Sequence, residues 1–257
     1  MNLAARMKGY EAAQTSARLM PRLPIVARVD GRAFHTLCKG MEKPFDQAMH
    51  DAMVATASAL VSELNGALAH TASDEISLLL LPGGPESEPL FGGKPFKLNS
   101  VIASIATAHF NDGHLKLRRL ATFDCRTFQL PTRQEVVNYF VWREQDAARN
   151  SVAGLAQSYF SHKQLHQKNG GQMQEMLWQE HGVNWNDLPA VQKRGAYLRR
   201  IVEDRTLTQE EWEAIPEPYR PPRDQVFTRG RIAVMDWPRL TAMTDAVATI
   251  FGDEKGD

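Results

Sequence analysis

Apolar positions in the first half of the chain fall into short strand-like runs and longer helical stripes, separated by clear turn signals. Residues 23–29 form an apolar run of strand type, which Asp30-Gly31 ends. Asp46 reads as a helix N-cap, and Met49, Met53, Ala57, Leu60 and Leu64 then recur at helical spacing until Gly66 closes the segment. Two further strand runs, residues 67–72 and 76–81, are separated only by Ser73-Asp74-Glu75, which predicts a tight hairpin. A Pro- and Gly-rich loop covers residues 82–95. From about Phe96, Leu98, Val101, Ile102 and Ile105 share one helix face, and residues 120–130 make another strand.

The order is β-α-β-β-α-β, the split plan of an α+β fold with an antiparallel sheet and packed helices. Beyond Pro131 the pattern turns mostly helical, with helices expected over residues 136–160, 172–180 and 190–202. Pro216, Pro218, Pro221 and Pro222 mark an irregular stretch, and residues 225–235, with Gly230 near the middle, read as a late hairpin. The expected division is a core over residues 1–131 and a mostly helical half over 132–257, packed as one globular unit.

This topology has a chemical consequence. In the antiparallel version the strands lie in the order 4-1-3-2, so strand 1 ends where strand 3 begins. Asp30 then sits beside the hairpin that carries Asp74 and Glu75. Alone, each carboxylate has a plain structural reading, since Asp-Gly and Ser-Asp-Glu are ordinary turn polarity. Converging, they offer hard oxygen ligands for Mg²⁺, which completes its shell with water and substrate phosphates. Two such ions can activate an attacking oxygen and stabilise a leaving pyrophosphate.

Around Asp30 the chain reads Asp30-Gly31-Arg32-Ala33-Phe34-His35, followed by Lys43-Pro44-Phe45-Asp46. Gly31 permits close backbone approach, and successive N–H groups in such a turn make an anion nest. Lys43 is a mobile charge able to reach a triphosphate. Phe34 is either a stacking face for a base or a core ring, and His35 either bonds a sugar or phosphate or is structural. No Walker motif and no Rossmann glycine fingerprint occurs.

Thirty Lys and Arg balance thirty Asp and Glu, which excludes a histone-like polybasic protein and an acidic tail but not a local basic groove. Basic windows fall at Lys116, Arg118, Arg119 and Arg126, and at Lys193, Arg194, Arg199, Arg200 and Arg205; each is either a solvated face or a phosphate-binding patch. Two cysteines, Cys38 and Cys125, cannot make a disulfide framework or a four-ligand zinc site. Arg6 and Lys8 are followed by no apolar stretch, so no signal peptide, no membrane span and a cytosolic setting are expected. His162 and His166 have no third ligand at matching spacing and read as polar surface.

Taken together, Asp30-Gly31-Arg32-x-Phe34-His35, Lys43-Pro44-Phe45-Asp46 and Ser73-Asp74-Glu75 resemble the tRNA-histidine guanylyltransferase family, including its bacterial and archaeal guanylyltransferase-like branch. Further matches lie over residues 97–111, at Phe123-Asp124-x-Arg126, at Trp142-Arg143 with Asp146, and over residues 184–195, so the resemblance spans roughly residues 1–200. It implies a polymerase-palm-like core working in reverse, adding nucleotides 3′→5′ to the 5′ end of tRNA. ATP activates a 5′-monophosphate, and the 3′-hydroxyl of an incoming GTP or other NTP attacks the activated end.

By this similarity Asp30, the Gly31 carbonyl and Asp74 hold two Mg²⁺ ions, with Glu75 as a further catalytic carboxylate. Arg32, Ala33, Phe34, His35, Lys43 and Ser73 line the triphosphate beside them. Lys94, Lys97 and Ser100, at a helix start, make a second phosphate site, in keeping with the anion preference of helix N-termini. Arg149, Asn150, Lys193 and Arg194 are the RNA-binding candidates, and a homo-oligomer, dimer or tetramer, is implied.

One departure stands out. Eukaryotic members carry His-Ile-Asn-Asn-Leu-Tyr-Asn after the Trp-Arg pair, where this chain has Ala148-Arg149-Asn150-Ser151-Val152-Ala153-Gly154. Only Asn150 matches. The departure favours template-dependent 5′-end repair over addition of the extra guanosine to tRNA-histidine, which is the alternative. From other classes, a non-catalytic RNA-binding protein on a palm scaffold and a nucleotide cyclase stay open.

Overall fold

Along the first strand, Ile25, Ala27 and Val29 point to one side and Val26, Arg28 and Asp30 to the other, as the two-residue period of a strand requires. The computed structural model, which describes residues 2–84, 86–112, 115 and 117–252, shows what each side meets. Lys116 lies outside the described residues. Strands β1 (Ile25–Gly31), β2 (Leu68–Ala72), β3 (Glu75–Leu80), β4 (Phe123–Gln129), β5 (Ala196–Arg205) and β6 (Phe227–Met235) form one sheet in the order β4-β1-β3-β2-β5-β6, every pair antiparallel. The expected 4-1-3-2 order is present, and the second half of the chain adds two strands to its free edge.

Helices α1 (Leu3–Thr15), α2 (Phe34–Leu37), α3 (Gln47–Glu63), α4 (Pro95–Asn111) and α5 (Arg133–Tyr159) are followed by the shorter α6 (His162–Leu165), α7 (Gly170–His181), α8 (Ala190–Arg194), α9 (Gln209–Glu213) and α10 (Ala246–Phe251). Asp46 caps α3 as expected, its carboxylate accepting from the Met49 N–H at 2.9 Å. The stripe Met53, Ala57, Leu60 then packs with Leu98, Ile102 and Phe110 of α4 on Ala27, Val29, Ile76 and Leu78. Thr132 caps α5 through the Glu135 N–H. Val136, Val137 and Phe140 cover the opposite sheet face at Val26, Leu68, Leu79 and Tyr197. Full burial of side chains such as Phe140 and Leu79 contributes about 1.5–3 kcal/mol each. The far half of α5 forms a third cluster with α7 through Val152, Leu155 and Leu177.

Two expectations for the second half are corrected. The helix expected over residues 190–202 is only α8; Gly195, at φ 79°, breaks it, and the chain continues as β5. A Cβ on Gly195 would lie 2.4 Å from the Thr71 carbonyl oxygen, so a glycine is needed where β5 joins β2. Ala196 and Leu198 turn to one face and Tyr197 to the other, a strand period that a helical count of apolar residues does not register. The late hairpin is also not local. Gly230 sits mid-strand in β6 opposite Val202, and residues 206–226 form the connection. Helix α1 has no buried residue, and so no apolar stripe announced it.

Candidate active site

The end of β1 and the tip of the β2–β3 hairpin are fastened to each other. The Gly31 N–H donates to the Asp74 carbonyl at 3.0 Å, and Asp30 stands opposite Glu75 on β3 and opposite Asp124 on β4. Ser73, at φ 55°, makes the tight reversal, and its hydroxyl donates to the Asp74 carboxylate at 3.1 Å. Asp30 and Asp74 are thereby brought together at one sheet end. Burial, and then the charge of Asp30, push the Asp74 carboxyl above its ordinary range, against the hydrogen bond from Ser73 and the charge of His35.

The half-buried Asp30 carboxylate makes no ion pair or hydrogen bond among the described residues, and the positive charge that acts on Asp74 is that of the exposed His35. Among the described residues no group of three or more His, Cys, Asp or Glu converges on one point. The donor set is two hard carboxylates with backbone carbonyls nearby, which fits Mg²⁺ better than a transition metal, because Mg²⁺ keeps water and takes phosphate oxygens as further ligands.

Glu75 does not complete that set. Its two oxygens accept from Arg143 Nε at 2.7 Å and Nη2 at 2.9 Å, and Arg28 Nε lies 3.8 Å away. Glu75 lies beside Asp30 as expected, but a carboxylate gripped in this bidentate way positions the strand, which corrects its expected role as a further catalytic carboxylate. Arg143 also bonds Asp146 at 3.0 Å, and Asp146 bonds Arg149 at 2.7 Å, so one ionic chain runs from the hairpin tip along α5.

Phe34 is likewise corrected. It is 3% exposed and packs against Phe110 and Phe123, with ring centroids 5.4 and 5.1 Å apart, so no base can stack on it. Its ring occupies the space beside Gly31, where a Cβ would come within 2.4 Å of it. What the segment offers a ligand is backbone, turned outward by Ala33 at φ 55°, together with the exposed side chains of Arg32 and His35. The Arg32 N–H is fixed to the Thr122 carbonyl at 2.9 Å. Lys43 is exposed on a loop that Asp46 ties down by accepting from the Glu42 N–H at 3.0 Å. Burial, then Asp74 and Asp46, push the Cys38 thiol up, and burial pushes Cys125 up to about 12, so neither is a thiolate at neutral pH.

Lys94 is the N-cap residue of α4 and Lys97 lies in its first turn; both are exposed, with Lys97 Nζ 5.1 Å from the Phe91 ring centroid. The Ser100 hydroxyl is spent on the Lys97 carbonyl at 3.1 Å. On the second half, Arg149 and Asn150 are exposed on α5, and Lys193 Nζ donates to the Asn186 carbonyl at 2.6 Å. Arg194 is not a surface cation. Its Nη2 donates to the Trp237 carbonyl at 2.6 Å, and Nη1 lies 3.7 Å from the buried Glu144.

Comparison with known proteins accords with this geometry. The model of the family described as Thg1, tRNAHis guanylyltransferase, matches residues 4–131. The tRNA(His) guanylyltransferase of Saccharomyces cerevisiae is 30% identical over 210 residues, covering 73% of this chain and 86% of that protein. The chain belongs to the tRNA(His) guanylyltransferase family. Its members are nucleotidyltransferases. Two solved structures of a bacterial tRNA(His) guanylyltransferase-like protein, in complex with ATP and with GTP, are similar to it at 36% and 35% identity. Each covers 93% of this chain and 94% of the other, with TM-scores of 0.76 and 0.73.

Two arginines important to this family member's site were not assigned roles by motif spacing. Arg28 could have been found, because it precedes Asp30 by one strand period and so shares its face. Arg143 stands in the Trp142-Arg143 match, but its contact with Glu75 joins a helix to a strand 68 positions away, which no spacing shows. Among the described residues no helix is long and apolar enough to cross a membrane.

Proposed function

We propose that this member of the guanylyltransferase family is a Mg²⁺-dependent 3′→5′ nucleotidyltransferase that rebuilds the 5′ end of truncated tRNA against its own acceptor strand. The observation that carries the reading is the pair Asp30 and Asp74, fastened at one sheet end, with no ion-pair partner for Asp30 among the described residues. Asp30, Asp74 and the Gly31 carbonyl would hold the metal; when bound, it supplies Lewis-acid stabilisation of phosphate charge and a more acidic attacking hydroxyl.

The chain's own residues set the rest. Arg32 and Lys43, exposed on either side of the carboxylates, take up triphosphate charge, and the backbone turned out by Ala33 offers N–H groups to its oxygens. Ser73 fixes the Asp74 carboxylate, and the buried Phe34 keeps the Gly31 turn rigid. Lys94 and Lys97 favour a second phosphate group at the start of α4. The 3′-oxygen of the incoming nucleotide bonds to the activated 5′-phosphorus while that phosphorus releases its activating group.

Two things support repair over single guanosine addition. The 148–154 stretch lacks the eukaryotic histidine, and identity is higher to the bacterial guanylyltransferase-like protein than to the yeast enzyme. Labelled 5′-truncated tRNA, incubated with Mg²⁺, ATP and each NTP, tests the reading. Extension that stops where complementarity to the acceptor 3′ strand is restored is the expected result. A single guanosine added only to tRNA-histidine would point to the alternative activity, and a cyclic product from free NTP would point to a cyclase. RNA binding without addition would leave a non-catalytic binder. Asp30→Ala and Asp74→Ala should each abolish addition.

A further inference from the structure

Helix α5 borders a second concavity besides the carboxylate site. Glu144 and Ala148, one turn apart, line a cavity of about 250 Å³ together with Trp185, Lys193, Arg194 and Arg239. Its charges do not balance. Glu144 is satisfied from three sides: Oε2 accepts from the Tyr197 hydroxyl at 3.3 Å and the Leu240 N–H at 3.2 Å, and Oε1 faces Arg194. With Glu144 set against Arg194, Lys193 and Arg239 have no acidic partner among the described residues. Among the described residues the Lys193 ammonium contacts only the neutral Asn186 carbonyl and the Trp185 ring, 5.6 Å from its centroid. Arg239 is exposed, and its side chain makes no hydrogen bond or ion pair among the described residues. Arg194 Nη1 is buried without a hydrogen-bond acceptor.

A single group with several anionic oxygens would neutralise both free cations at once. That is the chemistry of a phosphate, and the Ala148 and Trp185 walls leave apolar surface for the sugar beside it. We propose that this cavity binds a backbone phosphate of the RNA substrate and fixes the register of the tRNA end on α5. The inference rests on the reading of the protein as an enzyme of tRNA 5′ ends. The helix itself favours RNA over a free anion. The ionic chain Glu75–Arg143–Asp146–Arg149 runs along α5, the helix that also supplies Glu144 and Ala148 to the cavity, so one helix joins the hairpin tip to the cavity of Lys193 and Arg239. Phosphate contacts of this kind position a nucleic acid without reading its bases.

Equilibrium binding of 5′-truncated tRNA to the wild type, Arg239→Gln and Lys193→Gln across a salt series tests the proposal. Each substitution is expected to weaken binding by about tenfold at low salt. Each should also make the slope of log affinity against log salt shallower by about one. The melting midpoint of Arg239→Gln should be unchanged, since the Arg239 side chain has no partner among the described residues. Unaltered slopes in both variants, with the wild type binding normally, would overturn this inference alone. Inorganic phosphate and pyrophosphate, titrated in parallel, separate the sources: a loss of their binding in Arg239→Gln with the RNA slope intact would make the ligand a free anion and overturn the RNA assignment. Failure of the wild type to bind tRNA would remove the functional reading and this site with it.

Discussion

Arg143 holds both carboxylate oxygens of Glu75, with N–O distances of 2.7 and 2.9 Å, and both side chains are largely buried, at 11% and 17% exposure. Burial pushes the Glu75 carboxyl up while Arg143 and then Arg28 pull it back. Removing one partner of such a pair strands the other's charge away from water. Arg143→Ala is expected to cost about 3 kcal/mol of stability, measured by urea unfolding. Arg143→Lys should recover only part, because an ammonium cannot reproduce the two-pronged geometry. A loss below about 0.5 kcal/mol in the alanine variant would mean that water already screens the pair.

Gly31 and Phe34 form a second coupled pair. A methyl at position 31 would meet the Phe34 ring at 2.4 Å, and that ring is locked between Phe110 and Phe123. Gly31→Ala is therefore expected to cost about 1–3 kcal/mol and to displace the turn that presents Asp30. Nucleotide addition should fall further than stability does. Phe34→Ala in the same molecule should relieve the clash, so the double variant should be less impaired than the sum of the singles. Strict additivity in the unfolding free energies would count against the contact.

These two pairs show where sequence was sufficient and where it was not. Gly31, Asp30 and Asp74 were legible because a β-α-β-β-α-β order forces the end of strand 1 against the strand 2–3 hairpin. The Gly31–Asp74 hydrogen bond is that constraint made local. Phe34 was ambiguous because a ring after a turn packs inward or outward with equal economy of pattern; Phe110 and Phe123, distant in sequence, decide it. Glu75 was misplaced for a related reason. Strand period puts it on the face of Asp30, but only the three-dimensional path of α5 reveals the guanidinium waiting there. The β5–β6 pair was missed because Tyr197 and Leu198 are buried on opposite faces, which erases the alternation that marks a half-exposed strand.

His70 sets the acid limit of the fold. It is fully buried, with Nε2 2.8 Å from the Arg194 carbonyl and its ring 4.6 Å from Tyr197. Burial lowers its pKa to about 4, against the pull of that carbonyl bond. A histidine depressed when folded stabilises the fold above its unfolded pKa, near 6.5, and loses that contribution as pH falls toward 4. The expected loss across this window is about 3 kcal/mol, from about 1.4 kcal/mol per pH unit. His70→Gln keeps an N–H for the carbonyl and does not titrate. Its unfolding free energy should therefore change less between pH 6.5 and 4 than that of the wild type, and parallel curves for the two proteins would refute the assignment.

Asp46 links helix stability to the nucleotide loop. One oxygen accepts from the Met49 N–H at 2.9 Å and starts α3, while the other accepts from the Glu42 N–H at 3.0 Å and tethers the segment carrying Lys43. Asp46→Ala should cost about 1 kcal/mol through the lost cap. Because it also frees the loop, the apparent KM for the incoming NTP should rise more than kcat falls, since Lys43 then pays an ordering entropy on each binding event. Asp46→Asn retains an acceptor oxygen for one of the two N–H groups and should restore the cap while leaving the KM defect partly in place. A fall in kcat at constant KM in both variants would place Asp46 in the catalytic step instead and dismiss the tether.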